Sequence, residues 1–350
     1  MSQAEQRQDE SGPVALDSAA DTETGTGTDT ETGTGVRVDA GQEGGAGSAT
    51  ATTAGATATA AAGAVVAARP RAGVLWTFGL FRSELAVTLR RWRTLALLGV
   101  LAAVPVLIGV AVKIETDGGG GPSGGGEGPA FIAQITNNGL FLVFAALAAT
   151  LPVFLPMAIA VVAGDAIAGE ANSGTLRYLL VAPAGRTRLL IAKYATALAS
   201  CLIAALVVAV SALAVGAALF PLGDVTTISG TTLSFGEGLL RAALVALVVA
   251  ASLAGIAALG LFVSTLTGSG IAAMATTVGL LITVQILNTI PQLDVIHPYL
   301  FPHYWLSFSD LMREPVYWDE VQKNLGLQAL YAAVFGSAAW ARFTTKDVNA

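Results

Sequence analysis

Long apolar runs, separated by short polar or glycine-rich segments, make up most of the chain from residue 94 onward. Most runs reach about 20 residues, the length that an α-helix needs to cross the hydrocarbon core of a membrane. The pattern therefore predicts an all-α integral membrane protein with a transmembrane domain at 94–346. The six predicted transmembrane helices are 94–112, 139–163, 189–219, 239–266, 271–290 and 325–341.

A segment of mixed polarity at 69–93 precedes the first predicted span. Large apolar side chains recur in it at helical steps, and arginines lie between them. This pattern predicts an amphipathic helix on the cytoplasmic leaflet. A nucleic-acid-binding patch is the alternative, but membrane topology already accounts for arginines beside a first span. The apolar stripe runs through Leu75, Phe78, Phe81 (or Arg82), Leu85, Leu89 and Trp92.

Composition separates the N-terminal tail from the rest of the chain. The 350 residues are 54% hydrophobic and 12% charged, whereas about a quarter of the residues in soluble domains are charged. Residues 1–68 instead consist mainly of Gly, Ala, Thr and acidic residues, with ten acidic and two basic residues and a net charge of −8. Because they contain few large apolar side chains, they are predicted to be a disordered tail.

The placement of Lys and Arg predicts the orientation of the bundle. Twelve basic residues fall on one side: six in 69–93, four in 164–193 and two after the last span. The other side has four. Because cytoplasmic segments carry the excess of Lys and Arg, both termini are predicted to be cytoplasmic in a multi-pass protein of the cell membrane. The segment 291–324 is then an outer loop.

The loop 164–193 is the longest polar and charged stretch between two apolar runs. Asp165 and Glu170 each follow a glycine where an apolar helix is predicted to end. Ser173-Gly174-Thr175 predicts the N-cap of a short amphipathic helix that stops at Pro183. Arginines surround this helix, a pattern that favours a docking surface at the cytoplasmic face.

The stretch GDAIAGEANSGTLRYLLVAPAGRTRLLIAK, residues 164–193, resembles the first cytoplasmic loop of ABC-2 type transporter permeases. In that family the loop carries the coupling helix that touches a separate ATPase subunit. The resemblance implies a dimer of permease subunits, homomeric or heteromeric, and cytoplasmic ATPases that bind ATP and Mg. The residues that match the coupling motif are Gly164, Asp165, Gly169, Glu170, Gly174, Thr175, Leu176, Arg177 and Arg186.

The sequence points to an energy source outside this chain. It contains no Walker A motif, so no cofactor is expected in the chain itself. The predicted spans have no ionisable side chain at membrane depth, whereas ion-coupled carriers usually keep one there. The resulting interpretation is a permease subunit, an exporter by resemblance, that performs no chemistry of its own. The alternatives are a non-transporting membrane scaffold or accessory factor and an ion-coupled secondary carrier.

Other polar residues in the apolar part give weaker indications of function. Gln285 and Asn288 share one face of a span and could line a substrate path, although hydrogen bonds across a helix interface are the commoner role of such amides. His297 and His303 do not have metal-ligand spacing, so no metal site is predicted. Asp165 and Glu170 have no nearby residue that would complete a catalytic acid/base site. Cys201 is predicted to be a buried thiol.

Overall fold

The computed structural model describes residues 74–117, 130–174, 185–226 and 230–345. The predicted disordered tail at 1–68 lies outside these residues, and so does the predicted coupling helix at 175–184. Ten α-helices are found in the described part of the chain: α1 Val74–Arg90, α2 Trp92–Asp117, α3 Ala130–Asn137, α4 Phe141–Thr150, α5 Phe154–Asn172, α6 Arg186–Leu219, α7 Phe235–Ser252, α8 Ala254–Leu266, α9 Gly270–Leu287 and α10 Asp319–Thr345.

Five helical segments within the described residues are long and apolar enough to cross a membrane. They are α2, α5, α6, the consecutive helices α7 and α8 taken together, and α9. The chain is therefore an α-helical membrane protein by the length and composition of its helices. The sixth predicted span falls within α10, which is 27 residues long but less apolar.

Two predicted spans are each divided into two helices. The span predicted at 139–163 breaks at Leu151–Val153 between α4 and α5, where Pro152 supplies no backbone N–H. The span predicted at 239–266 breaks at Leu253, and Tyr194 Oη donates a hydrogen bond to the Ala254 carbonyl beside this break. Side chains of neighbouring helices thus bond to backbone groups at an irregular point in the bundle.

Small residues allow the central helices to approach one another closely. α8 packs between α5 and α10, and α9 packs on α5. A Cβ atom added at Gly260 of α8 would lie 2.9 Å from Ala163 Cβ of α5. Ala257 and Ala258 are fully buried. The prediction of close packing through small residues in this span is confirmed, and the predicted burial of Cys201 is confirmed as well.

The amphipathic helix predicted before the first span is present as α1, and it packs along the first turns of α6. Phe81, Leu85 and Leu89 are half-buried against the bundle. Phe78 and Trp92 are 62% and 81% exposed on the protein surface, and the contact of this stripe with the membrane leaflet stays a prediction.

The end of the bundle opposite to α1 is covered by short elements. Two 3-10 helices, Pro291–Tyr299 and Trp305–Met312, lie in the predicted outer loop. A two-stranded antiparallel ladder pairs β1 Val225–Thr226 with β2 Thr232–Leu233 ahead of α7. Ser234 caps α7 through a reciprocal capping box with Glu237.

Candidate functional site

The motif carboxylates lie within a helix, not beyond its end. α5 continues through Gly164 to Asn172, so the prediction that the apolar helix ends before Gly164 is wrong. Gly164 is needed for packing, since a Cβ atom there would lie 3.0 Å from Met274 Cα of α9. The glycine allows two backbones to approach closely and does not break the helix.

The end of α5 is formed by the residues that were predicted to begin the next helix. Ser173 is the C-cap of α5, and its hydroxyl donates a hydrogen bond to the Glu170 carbonyl. Gly174 follows with φ +72°, a left-handed conformation that glycine adopts most readily after a helix end. The predicted N-cap therefore closes the preceding helix. Thr175, Leu176 and Arg177, which complete the predicted motif, lie outside the described residues.

Asp165 joins α5 to two other helices. Arg91 Nη1, at the junction of α1 and α2, is 2.5 Å from Asp165 Oδ2. Asp165 Oδ1 lies against Gly169 and Gly270, so tightly that a Cβ atom on either glycine would clash with it. Gly270 is the first residue of α9. The carboxylate thus lies between a guanidinium group and the positive end of a helix dipole, and both stabilise its charge.

Glu170 belongs to a second ion-pair group, which is centred on a buried lysine. Lys193 Nζ of α6 is 2.6 Å from Glu170 Oε1 and 3.2 Å from Glu84 Oε2 of α1. The Lys193 side chain is 3% exposed, and the two carboxylates are 11% and 13% exposed. A buried charge needs such partners because solvent does not stabilise it.

The two groups line one small cavity of about 40 Å³, which is large enough to hold water. Together they connect α1, α2, α5, α6 and the start of α9 at one end of the bundle. We call this set of five charged residues the inner cluster. Its members are Glu84, Arg91, Asp165, Glu170 and Lys193.

Sequence reasoning missed three members of the inner cluster. Arg91 was counted only among the arginines beside the first span. Glu84 was not singled out, although it interrupts the apolar stripe of α1 between Phe81 and Leu85. An acidic residue inside an apolar stripe indicates a buried basic partner. Lys193 was counted only as a positive charge of the loop. Its position two turns into a long apolar helix is the corresponding sign of burial.

α5 and α6 contain ionisable side chains. The predicted spans were expected to have none at membrane depth. α5 continues beyond the predicted span end at residue 163, and Lys193 lies near the start of the span predicted at 189–219. α5 and α6 therefore carry Asp165, Glu170 and Lys193 within segments that could cross a membrane. Each carboxylate is paired with a basic group. The arrangement is therefore typical of ion pairs that hold helices together and not of a catalytic acid/base pair.

Arg186 connects α6 to α10 at the same end of the bundle. Its Nη1 donates a hydrogen bond of 2.9 Å to the Thr344 carbonyl in the last turn of α10. Beside it, Trp340 Nε1 donates to Thr187 Oγ1 at 3.1 Å. Gly185, which precedes α6, has φ +71°, in agreement with the turn predicted at Pro183–Gly185; Pro183 and Ala184 themselves are not among the described residues.

The predicted pathway residues, Gln285 and Asn288, contact two different parts of the structure. Gln285 Nε2 donates a hydrogen bond of 2.5 Å to the Pro152 carbonyl at the break between α4 and α5. Asn288 is the C-cap of α9, and its Oδ1 is 3.4 Å from His303 Nδ1. Gln285 therefore connects two helices, which was the alternative that the sequence favoured.

His297 and His303 lie close together. The rings of His297 and His303 are 6.1 Å apart between centroids. His297 Nε2 lies 3.1 Å from the Leu287 carbonyl, and its Nδ1 is 3.4 Å from Asp294. Among the described residues, no group of three or more His, Cys, Asp or Glu side chains is arranged to hold a metal ion.

The second part of the chain matches a known protein family. Residues 129–349, more than half of the chain, match the model of a family described as "Protein of unknown function (DUF2705)". The chain belongs to this family. The matched region begins after α2 and contains Asp165, Glu170 and Lys193 but not Glu84 or Arg91. A search of curated proteins found no match to the chain.

Proposed function

We propose that this chain is the membrane-spanning permease subunit of an ABC-2 type transporter, driven by a separate cytoplasmic ATPase subunit. One observation carries the proposal. The residues of the motif that resembles the coupling loop include Asp165 and Glu170, and these two side chains tie α5 to the α1–α2 junction and to α6. A force applied to the segment between α5 and α6 would therefore reach several helices at once.

The charges at the two ends of the bundle support a cytoplasmic position for this motif. Five arginines at the inner-cluster end are exposed, and none of them forms an ion pair within the described ranges. An excess of free basic side chains is typical of the cytoplasmic side. These arginines are Arg82, Arg90, Arg93, Arg188 and Arg342.

We propose that α10 is the sixth span, so that both termini lie on one side of the membrane, the side that the exposed arginines favour as cytoplasmic. Its length of 27 residues is sufficient, and two of the polar side chains that lower its hydropathy, Asn324 and Gln328, are buried. Asn324 Nδ2 donates a hydrogen bond to Ser252 Oγ at 2.6 Å, and Gln328 Nε2 donates to the Phe301 carbonyl at 2.8 Å. Such internal hydrogen bonds make polar residues tolerable in a membrane helix.

The remaining parts of the proposal follow from the family resemblance. A cytoplasmic ATPase subunit would bind ATP and Mg, a second permease subunit would enclose the transport path, and transport would be export across the cell membrane. In this arrangement the chain catalyses no reaction and binds no nucleic acid. Membrane lipid surrounds it.

An ion-coupled carrier is the second candidate, because the inner cluster contains buried ionisable side chains. Carriers of this kind use such groups to bind the coupling proton or ion. In the inner cluster, however, Asp165 and Glu170 each have a basic partner. ATP-independent transport driven by a proton gradient in vesicles that contain only this chain would favour this candidate.

The test of the proposal is reconstitution. The chain would be purified with a soluble ATPase that carries a Walker A motif, and both would be placed in vesicles. We expect ATP-dependent transport that is lost when the Walker A lysine of the ATPase is replaced. Unchanged transport after that replacement would contradict the proposal.

Variants of the loop test the contact itself. Leu176→Asp and Arg177→Glu should lower both ATPase recovery and transport, while Arg313→Glu at the opposite end should not. The pair Glu170→Ala with Arg177→Ala is expected to lower transport too. Because Glu170 is a buried partner of Lys193, this pair also weakens the fold, so the loop variants alone decide the question. Equal effects of Arg177→Glu and Arg313→Glu would count against docking at the loop.

A further inference from the structure

A groove lies among α8, α9 and α10. Its volume is about 490 Å³. The floor is formed by α8, and α9 and α10 form the walls. Ligand sites in proteins have volumes of about 300–1,000 Å³. The groove therefore has the size of a binding site, and it shares no lining residue with the inner cluster's own cavity.

Aromatic rings form one wall of the groove. Phe262 of α8 packs on Phe335 of α10 with centroids 5.8 Å apart, and Tyr331 stacks on Phe335 at 5.8 Å. Phe301 continues the row, 5.6 Å from Tyr331, and it is buried. Contacts of this kind hold rings in fixed orientations. This wall is therefore a preformed apolar surface.

The opposite wall is formed by a row of small and aliphatic side chains on α9. Ala272, Thr276 and Leu280 are exposed and recur every four residues on the face of α9 that borders the groove. α9 is held by its other face, where Ala273, Thr277 and Leu281 are buried. The groove is thus open along one side of two helices that could cross a membrane.

The chemistry of the lining selects an uncharged, apolar ligand. None of its twelve residues is charged. Of its three hydroxyl groups, the Tyr331 hydroxyl already donates to the Tyr299 carbonyl, and Thr267 Oγ1 already accepts from Ser269 N. A ligand with charged or strongly polar groups along its length would lose hydration without compensation.

The dimensions favour a hydrocarbon chain over a helix of a second copy. Ala272 and Val284, near the two ends of the groove, are about 18 Å apart along α9 at 1.5 Å per residue. The groove volume of about 490 Å³, spread over that length, corresponds to a cross-section of about 27 Å². A helix with its side chains is about 10–12 Å wide and has a cross-section of about 80–110 Å². A stable protein interface uses about 20–30 residues on each side, and the groove offers twelve.

We propose that this groove is a specific binding site for one acyl chain of a membrane phospholipid. The chain lies along α8 between the aromatic wall of α10 and the small side chains of α9. Its source is the surrounding bilayer, to which the groove opens. The site does not depend on the transport function proposed above, because the groove is complete within this chain.

The experiment uses the full-length protein in vesicles that contain a phospholipid with a photoactivatable diazirine on one acyl chain. After irradiation, labelled peptides are located by mass spectrometry. We expect label on the segments 259–284 and 331–335 in clear excess over other exposed apolar positions, such as Leu107 of α2 and Val210 of α6. Labelling at equal levels on all of these positions would show ordinary boundary lipid and would overturn the proposal.

Groove-filling variants give the matched comparison. Ala272→Phe with Thr276→Phe should reduce labelling of 259–284 by about tenfold, a change that corresponds to 1.4 kcal/mol. Ala275→Phe is the control, since Ala275 is also exposed on α9 but does not line the groove. A thermal unfolding midpoint measured in detergent confirms that each variant folds. Equal labelling of the filled and control variants would overturn the proposal.

Two further measurements test whether the groove binds something other than a phospholipid acyl chain. A diazirine-labelled free fatty acid that labels the groove while the phospholipid does not would contradict the phospholipid source. Cross-linked dimers formed through a photoreactive residue at position 276 would show a second copy in the groove and would contradict the proposal as well.

Discussion

The two ends of the helix bundle differ in how deeply their charged side chains are buried and in how far apart in sequence the paired residues lie. At the inner end, Lys193 is buried between two carboxylates that come from helices distant in sequence. At the outer end, Lys113–Asp117, Arg313–Asp310 and Lys323–Glu320 are pairs between residues three or four positions apart, and most of their side chains are exposed. Exposed local pairs contribute little to stability, whereas a buried charge that loses its partner is costly.

This difference indicates that the inner charges hold helices together, while most of the outer charges do not. One outer pair is an exception, since Arg241 of α7 reaches Glu314 and also donates to the Leu311 and Arg313 carbonyls. That contact fixes the outer 3-10 segment to α7. At the inner end, a displacement of one helix would therefore move the helices that are ion-paired to it.

The largest effect is expected when the shared cation of the inner cluster is removed. Lys193→Met leaves Glu84 and Glu170 close together, buried and without their common partner. We expect the free energy of unfolding to fall by about 3–5 kcal/mol. The measurement is denaturant-induced unfolding in detergent micelles, followed by circular dichroism.

The outer end supplies the control for this prediction. Lys323→Met removes one exposed lysine with a local partner and should leave the unfolding curve unchanged. The combination Glu84→Gln, Glu170→Gln and Lys193→Met, which has no buried charge, should recover part of the loss. An unfolding curve for Lys193→Met that matches the one for Lys323→Met would mean that the comparison between the two ends is mistaken.

A smaller effect is expected for the pair that joins the α1–α2 junction to α5. Arg91 is 36% exposed and Asp165 is 16% exposed, so solvent screens their attraction in part. A double-mutant cycle with Arg91→Met and Asp165→Asn should give a coupling energy of about 1 kcal/mol. The same cycle on Arg313 and Asp310 is the outer control, and an equal or larger coupling there would argue against the special role of the inner end.

The sequence was sufficient to predict the helical segments but not how they meet. Apolar length alone predicted the positions of α2, α6 and α9 to within about five residues at each end. The role of Gly164 could not be read in the same way, because its close neighbour is Met274 of α9, more than one hundred residues later. A glycine beside an aspartate is typical of a helix end, and only the packing of α9 shows that this helix continues.

The inner cluster was predictable only in part for a similar reason. Asp165 and Glu170 were identified from a local motif. The other members, Glu84, Arg91 and Lys193, lie outside α5, and no local spacing connects them to these carboxylates. What the sequence did contain was an acidic residue in the apolar stripe of α1 and a lysine inside the apolar run of α6, each of which required a partner.

A smaller loss of stability is expected at the break between α4 and α5. Gln285→Leu removes the donor to the Pro152 carbonyl while keeping the side chain at a similar size. Hydrogen bonds between membrane helices contribute about 0.6 kcal/mol on average, so we expect a destabilisation of that order. Thr283→Val is the matched change on α9, because the Thr283 hydroxyl donates only to Gly279 O of its own helix. If the two variants unfold alike, Gln285 does not stabilise the break.

The orientation of the two ends is tested without a change in stability. Cys201 is buried, so single cysteines can be introduced in a Cys201→Ala background. Arg188 at the inner end and Arg313 at the outer end are both exposed. In intact cells, a membrane-impermeant maleimide should label Arg313→Cys, and it should label Arg188→Cys only after permeabilisation. The five exposed arginines that form no ion pair within the described residues at the inner end favour this result, because basic side chains are retained on the cytoplasmic side. Labelling of Arg188→Cys in intact cells would place the motif outside, where no ATP-driven subunit could reach it.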